Sequence, residues 1–229
     1  MKVSVVLVHY NTPDLLLNCL KSLYAFTAGI SFEVIVVDNA SQNRPEPQRL
    51  GDFQRLTWIQ NETNVGFGVA NNQGVGMATG DYVFLLNTDT LFTDNLIKAL
   101  YDKAQGIDKL GILAPRLLNH DLSVQYYGSM FGRFQYLGKK DRAVSFISGA
   151  AMFMKRTVYQ SVGGFDPAYF FYNEDLDLCT TLRRAGNKLI YSPSLTLIHL
   201  GGGSTKPSKA LKKQALISSG YYLKKHFFR

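Results

Sequence analysis

Several features that mark broad classes of protein are scarce or absent in this chain of 229 residues. Cysteine is scarce: Cys19 and Cys179 both lie in apolar, helix-like patterns, which favours buried packing over a disulfide or a metal site. No uninterrupted apolar run approaches the roughly eighteen residues that a membrane-spanning helix needs. The first residues, MKVSV, enter a strand pattern directly, without the order of segments typical of a signal peptide. We therefore expect a cytoplasmic protein.

Acidic side chains are missing from one end of the chain. Residues 1–177 carry 15 basic and 17 acidic side chains, whereas residues 178–229 carry 10 basic and no acidic ones. One end of the molecule should therefore be cationic. Because the first 177 residues are net acidic, they show no sign of a basic groove, and we expect no nucleic-acid partner.

The C-terminal segment from Lys206, KPSKALKKQALISSGYYLKKHFFR, combines this charge with helix-forming and aromatic residues. We predict one domain at residues 1–205 and a basic amphipathic helical tail at residues 206–229, whose helix begins near Pro207. Lysines and amphipathic rings favour an anionic membrane surface as partner, at the inner face of the plasma membrane. A solvated helix is the alternative. The rings are Tyr221, Tyr222, Phe227 and Phe228.

The hydrophobic pattern alternates between short apolar strands and helices. Near-continuous apolar strands separated by helices are typical of a mostly parallel sheet with helices on both faces. The pattern becomes less regular after about residue 115. Strands are predicted at residues 3–8, 33–37, 56–59, 82–86, 146–154 and 188–191, and helices from Pro13, at residues 66–78, from Thr93 and at residues 174–184.

Polar side chains follow three of these strands at the point where each strand ends. In parallel sheets ligands bind at the carboxyl ends of the strands. Asp89 could cap a turn, or it could bind Mg²⁺ or Mn²⁺, which prefer oxygen ligands and bridge diphosphates. The polar residues are Tyr10 and Asn11 after the first strand, Asp38 after the second, and Asn87, Thr88 and Asp89 after the strand at residues 82–86. The first three could contact a nucleoside.

The segment NETNVGFGVANNQGV, residues 61–75, adds glycines and amides to this candidate site. Gly66 and Gly68 permit close approach of the backbone to a ligand. Asn64 and Asn71 offer amide groups to a diphosphate or a sugar. The alternative is ordinary turn chemistry, in which glycine and asparagine are also common.

A second group of carboxylates lies in FFYNEDLDLC, residues 170–179. Glu174, Asp175 and Asp177 fall in the first turn of a predicted helix, where the helix dipole favours acidic residues. Three of them after an aromatic run exceed what capping requires. The rings could support the face of a sugar, and a carboxylate beside them could act as a general base.

His199 lies in LTLIHLGGGST, directly before three glycines. A lone histidine is more often a hydrogen-bonded core residue. The alternative is an additional metal ligand, with the glycines close to a diphosphate.

Seven motifs in this order resemble the family 2 inverting glycosyltransferases of the GT-A fold, and most closely the bacterial rhamnosyltransferases of surface polysaccharide assembly. The resemblance spans roughly residues 2–204. The motifs are VVLVHYN, EVIVVDNAS, NVGFGVANNQG, FLLNTDT, FISGAAMFMKR, GGFDPAYFFYNEDLDLC and IHLGGGS.

The resemblance implies transfer of a sugar from a nucleotide-diphosphate sugar, dTDP-rhamnose or a UDP-sugar, to a saccharide or a lipid-linked saccharide. It implies that Tyr10, Asn11 and Asp38 contact the nucleoside. It further implies that Asn87-Thr88-Asp89 is the metal motif, with Asp89 as ligand of Mg²⁺ or Mn²⁺. His199 would complete metal or diphosphate binding. Asp175 would be the general base, and Glu174 the substitute candidate.

Two departures from the family pattern concern the metal motif and the acidic helix. Asn87 stands where relatives carry aspartate, and Thr88 replaces a common proline, so metal affinity would depend largely on donor phosphates. Thr181 stands where relatives often have arginine. A nucleotidyltransferase is the rival enzyme, but a glycine- and basic-rich loop is missing after the first strand. A non-catalytic cationic membrane-binding module is the alternative of another class.

Overall fold

Helices cover both faces of one mixed, mostly parallel sheet, as the alternating pattern predicts. The computed structural model describes residues 1–129, 132–201 and 209–228. Within them, the main sheet has nine strands in the order β3-β2-β1-β4-β10-β6-β11-β5, with β9 paired to β11. A separate hairpin, β7–β8, lies outside this sheet.

Strands and helices alternate along the first half of the chain and follow one another less regularly in the second. The strands are β1 Val3–His9, β2 Phe32–Asp38, β3 Leu56–Gln60, β4 Tyr82–Asn87, β5 Thr90–Leu91, β6 Leu110–Leu118, β7 Tyr127–Ser129, β8 Gly132–Phe134, β9 Arg142–Ala143, β10 Ala151–Lys155 and β11 Lys188–His199. The helices are α1 Pro13–Phe26, α2 Pro47–Leu50, α3 Phe67–Met77, α4 Leu96–Gln105, α5 Arg156–Ser161, α6 Glu174–Arg184 and α7 Lys209–Phe227.

Strands β3, β2, β1 and β4 run parallel, and β1 lies between β2 and β4. His9 is the register partner of Asp38, and Val8 is the partner of Asn87. Apart from the half-buried Val8, the aliphatic side chains of β1, β2 and β4 are buried on both faces of the sheet. The carboxyl ends of these three strands therefore meet at one edge, where their polar residues come together.

The second half of the sheet brings distant residues to the same edge. Strand β10 inserts antiparallel between β4 and β6. Strand β11 pairs parallel with β6 and shifts register between Ser192 and Thr196. Its last residue, His199, pairs with Thr90 of β5. The end of β11 is thereby placed beside Asp89, which the sequence separates from it by more than a hundred positions.

Two sequence expectations about these elements need correction. The helix expected to start at Thr93 begins at Leu96, with Asn95 as its N-cap residue. Asn95 is held there because its amide exchanges hydrogen bonds with the backbone of Ala28. The strand expected over residues 146–154 is limited to β10, since the backbone before Ala151 turns to form one wall of a cleft. Helix α6 has the predicted bounds, and both cysteines are free and buried, as expected.

Helix α7 packs against α6 and the loop before it. The Ser218 hydroxyl donates to the Phe171 carbonyl over 2.8 Å, and the Tyr222 hydroxyl lies 2.8 Å from Thr180 Oγ1. Tyr222 is buried, so its assignment to a membrane-facing set of rings is wrong: α6 supplies both an apolar surface and a hydroxyl partner. The expected helix start near Pro207 and the boundary between residues 205 and 206 lie outside the described residues. No helix in the described ranges is both long and apolar enough to cross a bilayer.

Candidate active site

A cleft of about 520 Å³ opens at the carboxyl ends of β1 and β4. It contains six of the residues that the sequence singled out, from segments far apart in the chain. The opposite wall is formed by Ser148, Gly149 and Ala150 before β10, and by the aromatic residues Phe170, Phe171 and Tyr172 before α6. The six predicted residues are Tyr10, Asn64, Asn87, Thr88, Glu174 and Asp175.

Asn11 and Asp38 shape the loop after β2 instead of lining the cleft. Asn11 has a left-handed backbone (φ 58°), and its side-chain oxygen accepts hydrogen bonds from the N–H groups of Gln42 and Asn43. One oxygen of the buried Asp38 accepts from Ser41 N over 3.1 Å. Both side chains therefore hold the loop after β2, at the rim of the site, in position.

The second oxygen of Asp38 is a buried acceptor that remains available. Arg44 Nε lies 3.0 Å from Asp38 Oδ2, but its hydrogen is directed to the Ser41 carbonyl, 2.9 Å away. Oδ2 accordingly has no hydrogen-bond partner among the described residues. A buried carboxylate oxygen without a donor is costly, so a ligand N–H or O–H at this point would be stabilising.

The loop between β3 and α3 is held by a network of amides. Asn39 donates to Asn64 Oδ1 over 2.8 Å and accepts from Val65 N over 3.0 Å. Gly66 has φ 87°, and a Cβ there would lie 2.4 Å from the Phe170 carbonyl oxygen. Only glycine lets the two loops approach this closely. The contact brings the aromatic wall against the loop that carries Asn64.

Asn71 is not brought to the cleft. It is buried on α3, and its amide nitrogen donates to the Phe67 carbonyl one turn earlier. The expected contact of Asn71 with a donor is therefore not supported by its position. The side of α3 that carries Asn71 packs against the sheet, where Gly74 lies against Val6 of β1.

Asp89 and His199 meet at the edge of the sheet beside Asn87. Asp89 is buried, yet neither of its carboxylate oxygens accepts a hydrogen bond from any described residue. His199 Nε2 lies 3.2 Å from Asp89 Oδ1 and 3.4 Å from Asn87 Nδ2. A buried carboxylate without donors, next to an imidazole nitrogen, fits a divalent cation, which supplies the missing positive charge.

These donors are too few to enclose an ion on their own. Among the described residues, no group of three or more His, Cys, Asp and Glu side chains could hold a metal. A cation held by Asp89 and His199 would keep positions open for water and for substrate oxygens. This is the arrangement that hard cations adopt when they share a site with phosphate groups.

Glu174 and Asp175 are adjacent in sequence but have different surroundings at the start of α6. Asp175 accepts hydrogen bonds from Gly149 N over 3.1 Å and Leu176 N over 2.8 Å. Burial raises the pKa of Asp175, and these two N–H groups oppose that rise. Glu174 Oε2 has no partner among the described residues, and burial together with the charge of Asp175 raises the Glu174 pKa. The pair therefore places the negative charge on Asp175 and the proton on Glu174.

The backbone before α6 is unusual at two successive positions. Tyr172 and Asn173 both have a left-handed backbone, with φ of 67° and 65°. Non-glycine residues adopt this conformation at a cost, and such positions concentrate at functional sites. The turn directs the aromatic residues and Glu174 toward the cleft, and Asn173 Nδ2 is tied to Ser219 Oγ of α7 over 3.0 Å. Sequence patterns carried no signal for it.

Asp177, the third carboxylate of the cluster, is fully engaged in packing. It is buried, with Lys225 Nζ at 2.8 Å from one oxygen and His226 Nε2 at 2.7 Å from the other. The Tyr169 hydroxyl lies 3.2 Å from it. Asp177 therefore anchors α7 to α6, and only Glu174 and Asp175 remain for chemistry. Gly149, which orients Asp175, was missed as a site residue, although it lies within the motif FISGAAMFMKR.

The chain is similar to a protein family and to individual known proteins. The model for Glycosyl transferase family 2 matches residues 4–163. N-acetylglucosaminyl-diphospho-decaprenol L-rhamnosyltransferase of Mycobacterium tuberculosis is 28% identical in an alignment, 207 residues long with its gaps, that covers 75% of this chain and 67% of that protein. Rhamnosyltransferase WbbL of Escherichia coli (strain K12) is 28% identical in an alignment, 222 residues long with its gaps, that covers 86% of this chain and 83% of that protein.

A solved structure confirms the fold. GalNAc-T7 with UDP, GalNAc and Mn2+ superposes with a TM-score of 0.76 at 15% identity, over 96% of this chain and 48% of that one. The present chain thus spans about half the length of that protein. The likeness is one of fold, and it extends over both halves of the sheet.

Proposed function

Because the chain belongs to glycosyl transferase family 2, we propose that it is an inverting, metal-dependent hexosyltransferase that uses a nucleotide-diphosphate sugar. The observation that carries this proposal is the contrast between two buried carboxylates, Asp175 in the lining of the cleft and Asp89 directly after the lining residue Thr88. The Asp89 carboxylate accepts no hydrogen bond from described residues and lies beside His199, whereas the Asp175 carboxylate accepts hydrogen bonds from two backbone N–H groups. Asp89 therefore suits the role of a cation ligand, and Asp175 suits the role of a general base.

The donor would be held along the carboxyl ends of β1, β2 and β4. We assign the nucleoside to the rim formed by Tyr10, Asn11 and Asp38, where Asp38 Oδ2 is an acceptor without a hydrogen-bond partner among the described residues. Asn64, Asn87 and Thr88 line the adjoining part of the cleft and offer polar atoms to the diphosphate and the sugar. Relatives named as rhamnosyltransferases favour dTDP-rhamnose as donor, with a UDP-sugar as the alternative.

Asp89 and His199 would hold Mg²⁺ or Mn²⁺, which when bound offsets the charge that develops on the departing diphosphate. The carboxylate of Asp175 takes the proton of the acceptor hydroxyl as its oxygen attacks the anomeric carbon. The carbon–oxygen bond to the diphosphate breaks, and the bonding electrons leave with the nucleoside diphosphate. Attack opposite the leaving group inverts the anomeric configuration.

The state of Glu174 supports the choice of base. A general base must be deprotonated at the working pH and lie within reach of the acceptor. The two backbone donors favour the charged form of Asp175, whereas burial and the charge of Asp175 raise the pKa of Glu174, whose Oε2 has no hydrogen-bond partner among the described residues. We therefore assign the base to Asp175, and we place the acceptor against the rings of Phe170 and Tyr172, which line the cleft beside it.

The acceptor we propose is a saccharide or a lipid-linked saccharide of surface polysaccharide synthesis, as the decaprenol in the name of one relative suggests. Helix α7 presents four exposed lysines together with Leu216 and Ile217 on its outer side, while its inner side contributes Leu211 to the cleft. We propose that this outer side binds anionic lipid at the inner face of the plasma membrane. The lysines are Lys209, Lys212, Lys213 and Lys224.

A panel of nucleotide-diphosphate sugars with Mn²⁺ or Mg²⁺ tests the proposal by thermal shift, since a ligand that binds the folded state raises the melting temperature. We expect one donor to raise it more in the presence of metal than in its absence. Slow hydrolysis of that donor should then release a nucleoside diphosphate. Release of a nucleoside monophosphate together with a sugar phosphate would indicate a nucleotidyltransferase, and no shift with any donor would favour a non-catalytic module.

A further inference from the structure

Gln125 contacts His199 twice through a single amide group. Its Nε2 lies 2.5 Å from the His199 carbonyl oxygen, and its Oε1 lies 3.0 Å from His199 Nδ1. No sequence motif marks this glutamine. It reaches the end of β11 from the segment that follows β6, so the contact depends entirely on the fold.

The backbone holds Gln125 in this position. Gln125 N donates to the Leu117 carbonyl over 3.0 Å, and Val124 forms a bridge with Leu118. Leu118 is in turn the register partner of Ile198, which precedes His199. Two successive backbone pairings, Val124 with Leu118 and Leu118 with Ile198, therefore place Gln125 beside His199.

The chemistry of the contact determines which nitrogen of His199 carries the proton. A backbone carbonyl only accepts, so the amide atom that faces it must be the nitrogen of Gln125. The other amide atom is then the oxygen, which also only accepts, and His199 Nδ1 must donate to it. The neutral ring consequently bears its hydrogen on Nδ1 and a lone pair on Nε2.

The lone pair on Nε2 points to the candidate metal site. Asn87 Nδ2, a donor, lies 3.4 Å from it, which agrees with an accepting nitrogen. Asp89 Oδ1 lies 3.2 Å away and is also an electron-pair donor. Two such atoms repel each other unless a positive charge lies between them. In the metal-free protein, His199 Nε2 and Asp89 Oδ1 are therefore already positioned to bind a cation.

We propose that Gln125 is a positioning residue that fixes His199 as the Nδ1–H tautomer and so presents Nε2, together with Asp89, to a divalent cation. Groups that hydrogen-bond the second nitrogen of a ligating histidine orient the ring and strengthen it as a ligand. The proposal rests on the metal site of the proposed function. The part of it that concerns the His199 tautomer can be tested without metal.

The tautomer is measured in the metal-free full chain by proton–nitrogen correlation spectra of the imidazole rings, above the ordinary histidine pKa. The His199 signals are identified by their loss in His199→Gln. We expect an Nδ1–H tautomer in the wild type. Gln125→Leu should give a mixture of tautomers. Gln135→Leu is the matched control, because Gln135 Nε2 donates to the Val124 carbonyl nearby but does not contact His199.

The second measurement is paramagnetic broadening of the His199 signals by Mn²⁺ alone. Loss of an orienting residue typically weakens metal affinity by roughly 10–100-fold, so Gln125→Leu should need that much more Mn²⁺ than the control. An unchanged Nδ1–H tautomer in Gln125→Leu would overturn the role of Gln125, whatever the metal does. The expected tautomers without any broadening in the wild type would instead overturn the metal site of the proposed function.

Discussion

The two ends of the candidate site, Asp89 beside the cleft and Asp175 within it, differ in the hydrogen bonds that their carboxylates accept. At one end the buried carboxylate of Asp89 accepts no hydrogen bond from any described residue, and an imidazole nitrogen of His199 lies 3.2 Å from it. At the other end Asp175 has a backbone N–H on each oxygen. Burial is common to both sites, and the presence or absence of N–H donors separates them.

This difference indicates two kinds of chemistry. Backbone donors stabilise the ionised form of a carboxylate and fix its direction, which is what a proton acceptor needs. A buried carboxylate without hydrogen-bond donors carries an uncompensated negative charge, which a bound cation neutralises. Asp177 differs from both, since Lys225 and His226 of α7 and the Tyr169 hydroxyl occupy its carboxylate oxygens.

The largest effect should come from the metal end. Asp89→Ala should abolish sugar transfer while the melting temperature without added metal stays at or above that of the wild type, because the variant removes a buried charge without hydrogen bonds. Activity assays and thermal melts measure both. Asp94→Ala, at an exposed aspartate five positions later, is the control. A folded Asp89→Ala with wild-type turnover and unchanged metal dependence would contradict the assignment.

The next effect should come from the base end. Asp175→Asn should lower turnover by roughly 10²–10⁴-fold, the usual contribution of a general base, with little change in donor affinity. Glu174→Gln should have a much smaller effect, because Glu174 already carries a proton. Turnover and donor thermal shifts of the two variants decide the matter. If Glu174→Gln is the inactive one, the roles of the pair are reversed.

A pH series sharpens the contrast through stability. The raised pKa of Glu174 means that the folded state binds more protons than the unfolded state between the ordinary and the raised value. The free energy of unfolding should therefore fall as pH rises through that window, by at most about 1.4 kcal/mol per pH unit. Urea titrations should show a smaller fall for Glu174→Gln. Glu62→Gln, at an exposed glutamate, should behave like the wild type.

The smallest effect concerns the outer side of α7. Each lysine near an anionic leaflet contributes about 1 kcal/mol, so Lys212→Glu with Lys213→Glu should weaken co-sedimentation with phosphatidylglycerol vesicles by at least about tenfold. Salt should weaken the wild type in the same direction. Lys139→Glu with Lys140→Glu, at two exposed lysines outside α7, is the control for net charge. Equal pelleting of both double variants would mean that α7 is not the docking surface.

The amino-acid sequence was sufficient to predict the alternating α/β pattern, the helix at Glu174, the family and most residues at the strand ends. These signals are local, because apolar periodicity and polar strand ends can be seen within a few residues. Other features emerged only from the folded chain: that His199 reaches Asp89, that Gln125 contacts His199, that Asn71 and Tyr222 turn inward, and that Asp177 anchors a helix. Apart from the hydrogen bond of Asn71 within its own helix, these contacts join segments far apart in the chain, and no local pattern records which distant partner a side chain will meet.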